Sequence, residues 1–205
     1  MSTAIPAHEG FEILRRHDIP VAPYALVHEP FELSNVDFEF PWAMKLSSRN
    51  IVHKTEQKAV YTQVQSKQQA LETLTALKKL DSHAPVVVQP MLDGTELFIG
   101  STIDIQFGQT IVAGIGGVLV ELFKDTQLRV LPIQLSDALD MLDDLKHPEI
   151  LDGYRGKPSV NRRQFAAIIV KTAKMLEEEH FLELDLNPLI ATKKGIFAVD
   201  ARIVK

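Results

Sequence analysis

Apolar positions recur along this chain with two periods, about every third or fourth residue in some stretches and every second in others, and the switches between them predict helices and strands in an α+β order. From about His8 to His17, Phe11, Ile13 and Leu14 keep helical spacing until Asp18, Pro20 and Pro23 end the pattern. Val21 to Val27 reads as a short strand, and Pro30 to Asp37 as a loop or short helix. Trp42-Ala43-Met44-Lys45-Leu46 is an apolar strand interrupted by one lysine, and Ala59 to Gln65 alternates as a second strand. Ser66 with Gln69 three residues on predicts a capping box, opening a helix whose apolar stripe is Ala70, Leu71, Leu74 and Leu77. Pro85 to Gln89 is a continuous apolar strand of the kind buried on both faces. Asp93-Gly94 then marks a turn and Leu97 to Gly100 resumes a strand, which predicts a hairpin. Ser136 to Lys146 is helical, and Asn161 with Gln164 caps a helix that turns Phe165, Ile168, Ile169, Thr172, Met175 and Leu176 inward.

The last strands carry chemistry as well as pattern. In Glu183-Leu184-Asp185-Leu186-Asn187-Pro188 the period of two sets Glu183, Asp185 and Asn187 on one face and Leu184, Leu186 and Pro188 on the other. After the turn at Lys193-Lys194-Gly195, a second apolar strand brings Asp200 back toward the same surface. A sparse set of oxygen ligands suits magnesium, which takes one or two carboxylates and completes its shell with phosphate and water. A strand with one solvated face explains the same alternation. Lys45, between apolar neighbours and ahead of the polar Ser47 to Asn50, reads as a phosphate contact or as an exposed position on an edge strand. Thr110 to Leu122 is the most glycine-dense stretch. Gly114-Ile115-Gly116-Gly117 allows close backbone approach to a phosphoryl group, or forms a bulged hairpin, and fits neither a Walker nor a dinucleotide fingerprint.

Composition narrows the partners. The chain has 205 residues, 45% hydrophobic and 24% charged, enough to bury a core in one domain or two closely joined lobes. A net charge of -5 provides no basic face for nucleic acid or for an anionic membrane. The absence of cysteine excludes thiol catalysis and thiolate metal sites. Met1 to Gly10 has no leader-like apolar core and no run approaches bilayer length, so a soluble, cytoplasmic protein is expected. The seven histidines show no paired metal-ligand spacing, and His53 stands in the connection between two strands.

Six segments, in order, resemble the ATP-grasp domain of ADP-forming acetyl-CoA synthetases: Ala43 to Leu46, Ile51 to Thr55, Gly114 to Gly117 running on to Glu121 and Lys124-Asp125, Gly153 to Gly156, Glu183 to Pro188, and Val199 to Arg202. In that family the domain is a separate beta subunit or one end of a fused polypeptide, similar to the ATP-grasp part of succinyl-CoA synthetase. The resemblance implies a single ATP-grasp domain over 1–205, with a smaller lobe near 20–90, a larger lobe of 91–205 plus the N-terminal helix, and the nucleotide between them. It implies ATP or ADP with Mg2+ as cofactors, with Lys45, Gln89, Met91, Glu96, Gly116 and Gly117 contacting the nucleotide, Asn187 and Asp200 as metal ligands, and Asp185 behind them. It also implies that His53 relays a phosphoryl group between acyl phosphate and Mg-ADP, and that an alpha subunit carries the CoA-binding and acyl-phosphate-forming domains.

Where the family typically continues its His-Lys-Thr segment with Asp and then Gly-Gly-Val, this chain has Glu56-Gln57-Lys58-Ala59-Val60. Lys58 and Ala59 are expected to hinder a left-handed backbone there. Near Asp104 and Gly108 the family's basic residue and proline are replaced, with Thr102, Ile103 and Gln109 present. These losses keep open a second reading, a degenerate ATP-grasp module that binds nucleotide or a partner without turnover. The polar run from Ser47 to Lys58 has few apolar side chains to anchor it, which predicts a mobile loop around His53.

Overall fold

The computed structural model describes residues 3–50, 58–117, 125–154 and 156–205. In chain order the elements are β1 (Ala4–Ile5), α1 (Ala7–Arg16), β2 (Ala25–Val27), a 3-10 helix over Pro30–Asn35, β3 (Trp42–Leu46), β4 (Val60–Val64), α2 (Lys67–Lys78), β5 (Val86–Pro90), β6 (Thr95–Asp104), β7 (Gly108–Ile115), β8 (Thr126–Val130), α3 (Leu135–Asp143), a 3-10 helix over Pro148–Asp152, α4 (Arg162–Glu179), β9 (Glu183–Thr192), β10 (Gly195–Ala198) and β11 (Arg202–Val204). They fall into two compact units, one of Met1–Ile5, Gly10–Val21 and Leu92–Lys205, the other of Pro6–Glu9 and Ala22–Met91.

The smaller unit is a four-stranded antiparallel sheet in the order β2-β5-β3-β4. One face, with Trp42, Met44, Leu46, Val64, Val86 and Val88, packs with Ala70, Leu74 and Leu77 of α2 into a core. The N-terminus of α2 forms as its sequence dictates: Gln69 N–H donates to Ser66 Oγ at 3.2 Å, and the Gln69 side chain reaches back to the Gln65 N–H at 2.7 Å, one residue earlier than in the usual box. The stripe differs from expectation at one position, since Leu71 is exposed and Thr73 takes the buried place beside Leu74.

The larger unit is a seven-stranded sheet in the order β1-β11-β9-β6-β7-β8, with β10 also paired to β9. Every pairing among its named strands is antiparallel. α3 touches β7, β8 and α4, and α4 touches β7 and β10. α4 starts at Asn161, whose side chain accepts the Gln164 N–H at 3.0 Å, and all six residues expected to face inward are buried. Two expectations fail here. β5 and β6 do not form a hairpin: they lie in different sheets, because β6 pairs with β7 and β9 while the Met91 N–H bonds back to the Pro41 carbonyl at 3.0 Å. Val21 to Val27 is not one strand; it shortens to β2, and Val21 makes an isolated bridge to Ala198.

Lys58, which occupies a position expected to disfavour a left-handed backbone, adopts φ +52°. An L-residue is strained there by about 1 kcal/mol, and glycine is not. Lys58→Gly is therefore expected to leave Tm unchanged or raise it by up to about 2 °C in a thermal melt, because the extra entropy that glycine gives the unfolded chain, about 0.4–1 kcal/mol, offsets most of the relieved strain; a clearly lower Tm would contradict that strain.

Candidate functional site

The site in the larger unit follows from the packing of β9. Leu184 and Leu186 are buried, whereas Asn187 is exposed and Glu183 and Asp185 are half-buried, so the alternation read from sequence is realised as far as Asn187; Pro188, expected on the apolar face, is half-buried, and Leu189 takes the next buried place. At Asn187 the ladder breaks its rhythm. Leu97 pairs with Leu189 and Ile99 with Leu186, so Asn187 and Pro188 together face the single residue Phe98. Such a bulge re-aims a side chain locally, and here it falls on a candidate ligand.

Register then sets the partner of Asn187. Ala198 of β10 pairs with Leu189, Arg202 of β11 pairs with Asp185, and Val199 N–H donates to the Pro188 carbonyl at 3.2 Å. Counting inward from either pair, Asp200 stands opposite Asn187. Asp200 is not within a strand, as the sequence suggested, but in the short gap between β10 and β11, where its Oδ1 accepts the Ala201 N–H at 2.9 Å. The neighbouring Arg202 guanidinium holds Glu183 through two N–H donors, binding the end of β9 to β11. Among the described residues no cluster of three or more His, Asp or Glu could enclose a metal. A carboxylate facing an amide fits magnesium better than calcium, because the remaining positions fall to phosphate and water.

The glycine-rich stretch borders the same unit's β6. Gly116 N–H donates to the Glu96 carbonyl at 2.8 Å, and a Cβ there would lie 3.0 Å from the Leu97 backbone. Gly117, at φ +71°, lies under the Glu96 carboxylate, where any Cβ would run into Oε2. At Gly116 a side chain would crowd the Leu97 backbone, and at Gly117 the left-handed backbone favours glycine, while the exposed Glu96 carboxylate could move aside. Glu96 itself is exposed.

In the smaller unit, β3 is an interior strand, so Lys45 does not occupy an edge; it is 6% exposed and pairs with Val60 and Val87. Met44 and Leu46 point into the core with α2, which leaves Ala43 and Lys45 on the opposite face. By the same alternation Gln89 joins them, directly across from Ala43, with Met91 half-buried beyond the strand end. Gln89 is 1% exposed, and neither its Oε1 nor its Nε2 has a hydrogen-bond partner. A dry, unsatisfied amide beside a buried lysine is what a polar ligand would complete.

His53 lies outside the described residues, as do Glu121, Lys124 and Arg155. The stretch leading to His53 is not loose throughout, as its polarity suggested. Ser47 Oγ accepts the His8 N–H at 3.1 Å and contacts His8 Nδ1 at 2.8 Å; Arg49 pairs with Glu9 at 2.6 Å; Ser48 Oγ donates to Asp81 at 2.6 Å and accepts the Asn50 N–H at 3.0 Å. His8, Glu9 and Asp81 were missed in the sequence because these partners stand more than thirty residues from the stretch they hold. Only a structure supplies such pairings. The hydrogen bond from Ser48, aided by the N–H groups of His83 and Ala84 and opposed by burial, holds the Asp81 carboxyl below its ordinary value of 3.8.

The sequence profile of the ATP-grasp domain matches residues 1–204. The chain is 34% identical over 207 residues to the beta subunit of the ADP-forming acetate–CoA ligase I of Pyrococcus furiosus, covering 96% of this chain and 89% of that subunit. It is 32% identical over 200 residues to the ADP-forming acetate–CoA ligase II of Archaeoglobus fulgidus, covering 96% of this chain but 30% of that protein. Its fold superposes at a TM-score of 0.81, with 32% identity over 98% of this chain and 92% of the other, on acetyl-coenzyme A synthetase 1 of Ca. Korarchaeum cryptofilum. That structure contains coenzyme A and Mg-AMPPCP, with its phosphohistidine segment pointing towards the nucleotide binding site.

Because the folded-state pKa of Asp81 is depressed, its stabilising contribution is complete above about pH 4 and is lost as pH falls through the lowered value. Tm measured between about pH 6 and pH 2 should fall more steeply for the wild type than for Asp81→Asn, with the two curves converging at the acid end. Parallel curves would show that Asp81 has no such linkage.

Proposed function

The chain belongs to the ATP-grasp family, and from that premise we propose that it is the nucleotide-binding beta subunit of an ADP-forming acyl-CoA ligase. The observation that supports the reading is the register of β9, which sets Asn187 opposite Asp200, and in this reading the pair is a two-ligand seat for magnesium. Lys45, buried in an interior strand, offers a fixed cation to phosphate oxygens. Gly116 and Gly117 let backbone approach the phosphates, and Glu96 stands over Gly117. Gln89 and Met91 lie on the base side. When bound, magnesium neutralises charge on the phosphate oxygens and aligns the ADP terminus for in-line transfer.

The chemistry of this chain's own residues is a relay. A ring nitrogen of His53 attacks the phosphorus of an acyl phosphate, the P–O bond to the acyl group breaks and a P–N bond forms. A terminal oxygen of ADP then attacks that phosphorus, releasing the imidazole and yielding ATP. The acyl phosphate and CoA steps require further domains. The chain spans nearly all of the separate beta subunit but under a third of the fused ligase, so we assign those steps to an alpha subunit. Acyl-CoA and ADP chemistry fits a cytoplasmic enzyme, and among the described residues no helix is long and apolar enough to cross a membrane. The reading as a non-catalytic module drew on the lost glycines. Lys58 nevertheless adopts the left-handed conformation that a glycine would favour, which removes that ground at the first of the two positions; Ala59 does not adopt it.

Calorimetric titration with ADP should show binding that depends on magnesium and that Asp200→Asn weakens by about tenfold or more, since ligand charge count tunes such sites. No binding at millimolar nucleotide would refute the assignment. Incubation with Mg-ATP should place acid-labile, base-stable phosphate on His53, absent from His53→Ala. If wild-type protein stays unlabelled even with its alpha subunit present, the relay role fails.

A further inference from the structure

We propose that Asp81 is a positioning residue of the phosphoryl relay: through Ser48 and Asn50 it clamps the chain leading into His53, so that the imidazole is presented from a fixed point. The inference rests on the relay reading above. Its foundation is the set of contacts that meet at one carboxylate. Oδ2 of Asp81 accepts the Ser48 hydroxyl at 2.6 Å and the Asn50 side-chain amide at 3.4 Å. Oδ1 accepts the backbone N–H groups of His83 at 3.2 Å and Ala84 at 3.3 Å. One side chain thus joins the residues after β3 to the loop that opens β5. Ser48 is buried, and its hydroxyl oxygen also accepts the Asn50 N–H at 3.0 Å, so the turn is closed on itself as well as on Asp81. A hydroxyl bonded to a carboxylate away from water is a charge-assisted contact, stronger than a neutral one.

The sheet itself is held without this junction. β3 and β5 pair continuously from Trp42 with Pro90 to Leu46 with Val86, and the Ser47 N–H donates to the Pro85 carbonyl at 2.9 Å. Ser48 and Asn50 lie beyond those pairs, in no strand. What Asp81 holds is therefore the short stretch between the end of the ladder and His53. With Asn50 fixed, His53 stands three residues from an anchored position; with Asp81 removed, the nearest backbone anchor moves back to Ser47, six residues away. The Arg49–Glu9 ion pair does not replace it, because both its side chains are largely exposed and such pairs hold weakly. On the other side of His53, Ala59 is wholly buried and its carbonyl accepts the Leu46 N–H at 2.9 Å. A nucleophile on a longer free tether samples more conformations, and each turnover must then order them before attack. Asp81 shortens that tether without touching the reacting atoms.

The test follows the rate at which saturating Mg-ATP places base-stable phosphate on His53, a step in which the ring nitrogen attacks the terminal phosphorus and the P–O bond to ADP breaks. Mg-ADP affinity is measured beside it by calorimetry. The variants are Asp81→Ala, Ser48→Ala, the two combined, and Ser48→Thr, which keeps the hydroxyl. Asp81→Ala and Ser48→Ala should each label about five- to fiftyfold more slowly, with Mg-ADP affinity within about twofold of wild type. Ser48→Thr should keep most of the wild-type rate. The double variant should be no slower than Asp81→Ala, because both substitutions remove one contact. Ser48→Ala leaves the bonds from Asp81 to His83 and Ala84 in place, so it decides the matter if Asp81→Ala does not fold. The assignment is overturned if Ser48→Ala labels at the wild-type rate, if Ser48→Thr is as slow as Ser48→Ala, or if nucleotide affinity falls in step with the rate, which would make the contact merely structural. A wild type that stays unlabelled with its alpha subunit present would overturn the relay reading and this one together, whereas a labelled wild type with unaffected variants overturns this one alone.

Discussion

Burial of Leu184, Leu186 and Leu189 on one side of β9 is the constraint from which the polar side of the larger sheet follows. A strand has a period of two, so a one-residue slip would drive Glu183, Asp185 and Asn187 into the core and expose the leucines. That penalty locks the register against β6, and the same register passes to β10 and β11 because both pair with β9. Asn187 and Asp200 therefore stand opposite each other because the register of β9 with its two neighbours puts them there. The bulge opposite Phe98 supplies the extra residue by which the strand leaves ideal alternation at Asn187 and then resumes its apolar face at Leu189.

The smaller sheet makes a different compromise. It uses one face of β3 and β5 for a dry core with α2 and still buries Lys45 and Gln89 on the other. Burial of a charge and of an unpaired amide opposes folding, and it is tolerable only where the rest of the unit is well packed, as the near-complete burial of Trp42, Met44, Leu74 and Leu77 indicates. Neither polar atom of the Gln89 amide would have to give up a protein hydrogen bond to meet a polar ligand.

How much of this was legible beforehand depends on the range of the interaction. The caps at Ser66 and Asn161, the inward stripe of α4 and the alternation of β9 as far as Asn187 are local, and sequence spacing found them; the bulge that displaces Pro188 from the apolar face is set by pairing with β6 and left no local signal. The exposed Leu71 shows the limit of a stripe, since a helical wheel does not say where its apolar sector ends against a particular sheet. The supposed hairpin at Asp93-Gly94 failed because a turn signal reports a reversal of chain direction and not which sheet the next strand joins. Candidate ligands came from resemblance to a family as much as from pattern. The tethers from His8, Glu9 and Asp81 to the stretch before His53 left no trace in either, being side-chain contacts between distant segments.

Lys58 shows how a departure from a family pattern should be weighed. The loss of a glycine argues against function only if the backbone conformation that glycine permits is lost with it. Here the chain keeps φ at +52° with a lysine in place, anchored next to Ala59, which is wholly buried and whose carbonyl accepts the Leu46 N–H at 2.9 Å. The pairing of Lys45 with Val60 continues that anchor into the sheet, so the left-handed residue is imposed by its neighbours and not chosen by its own preference. A strain of about 1 kcal/mol is small against the packing of β3 and β4 and can be carried there without loss of the conformation. What the substitution adds is a cation at the end of the stretch that carries His53, where a phosphorylated imidazole would bear negative charge.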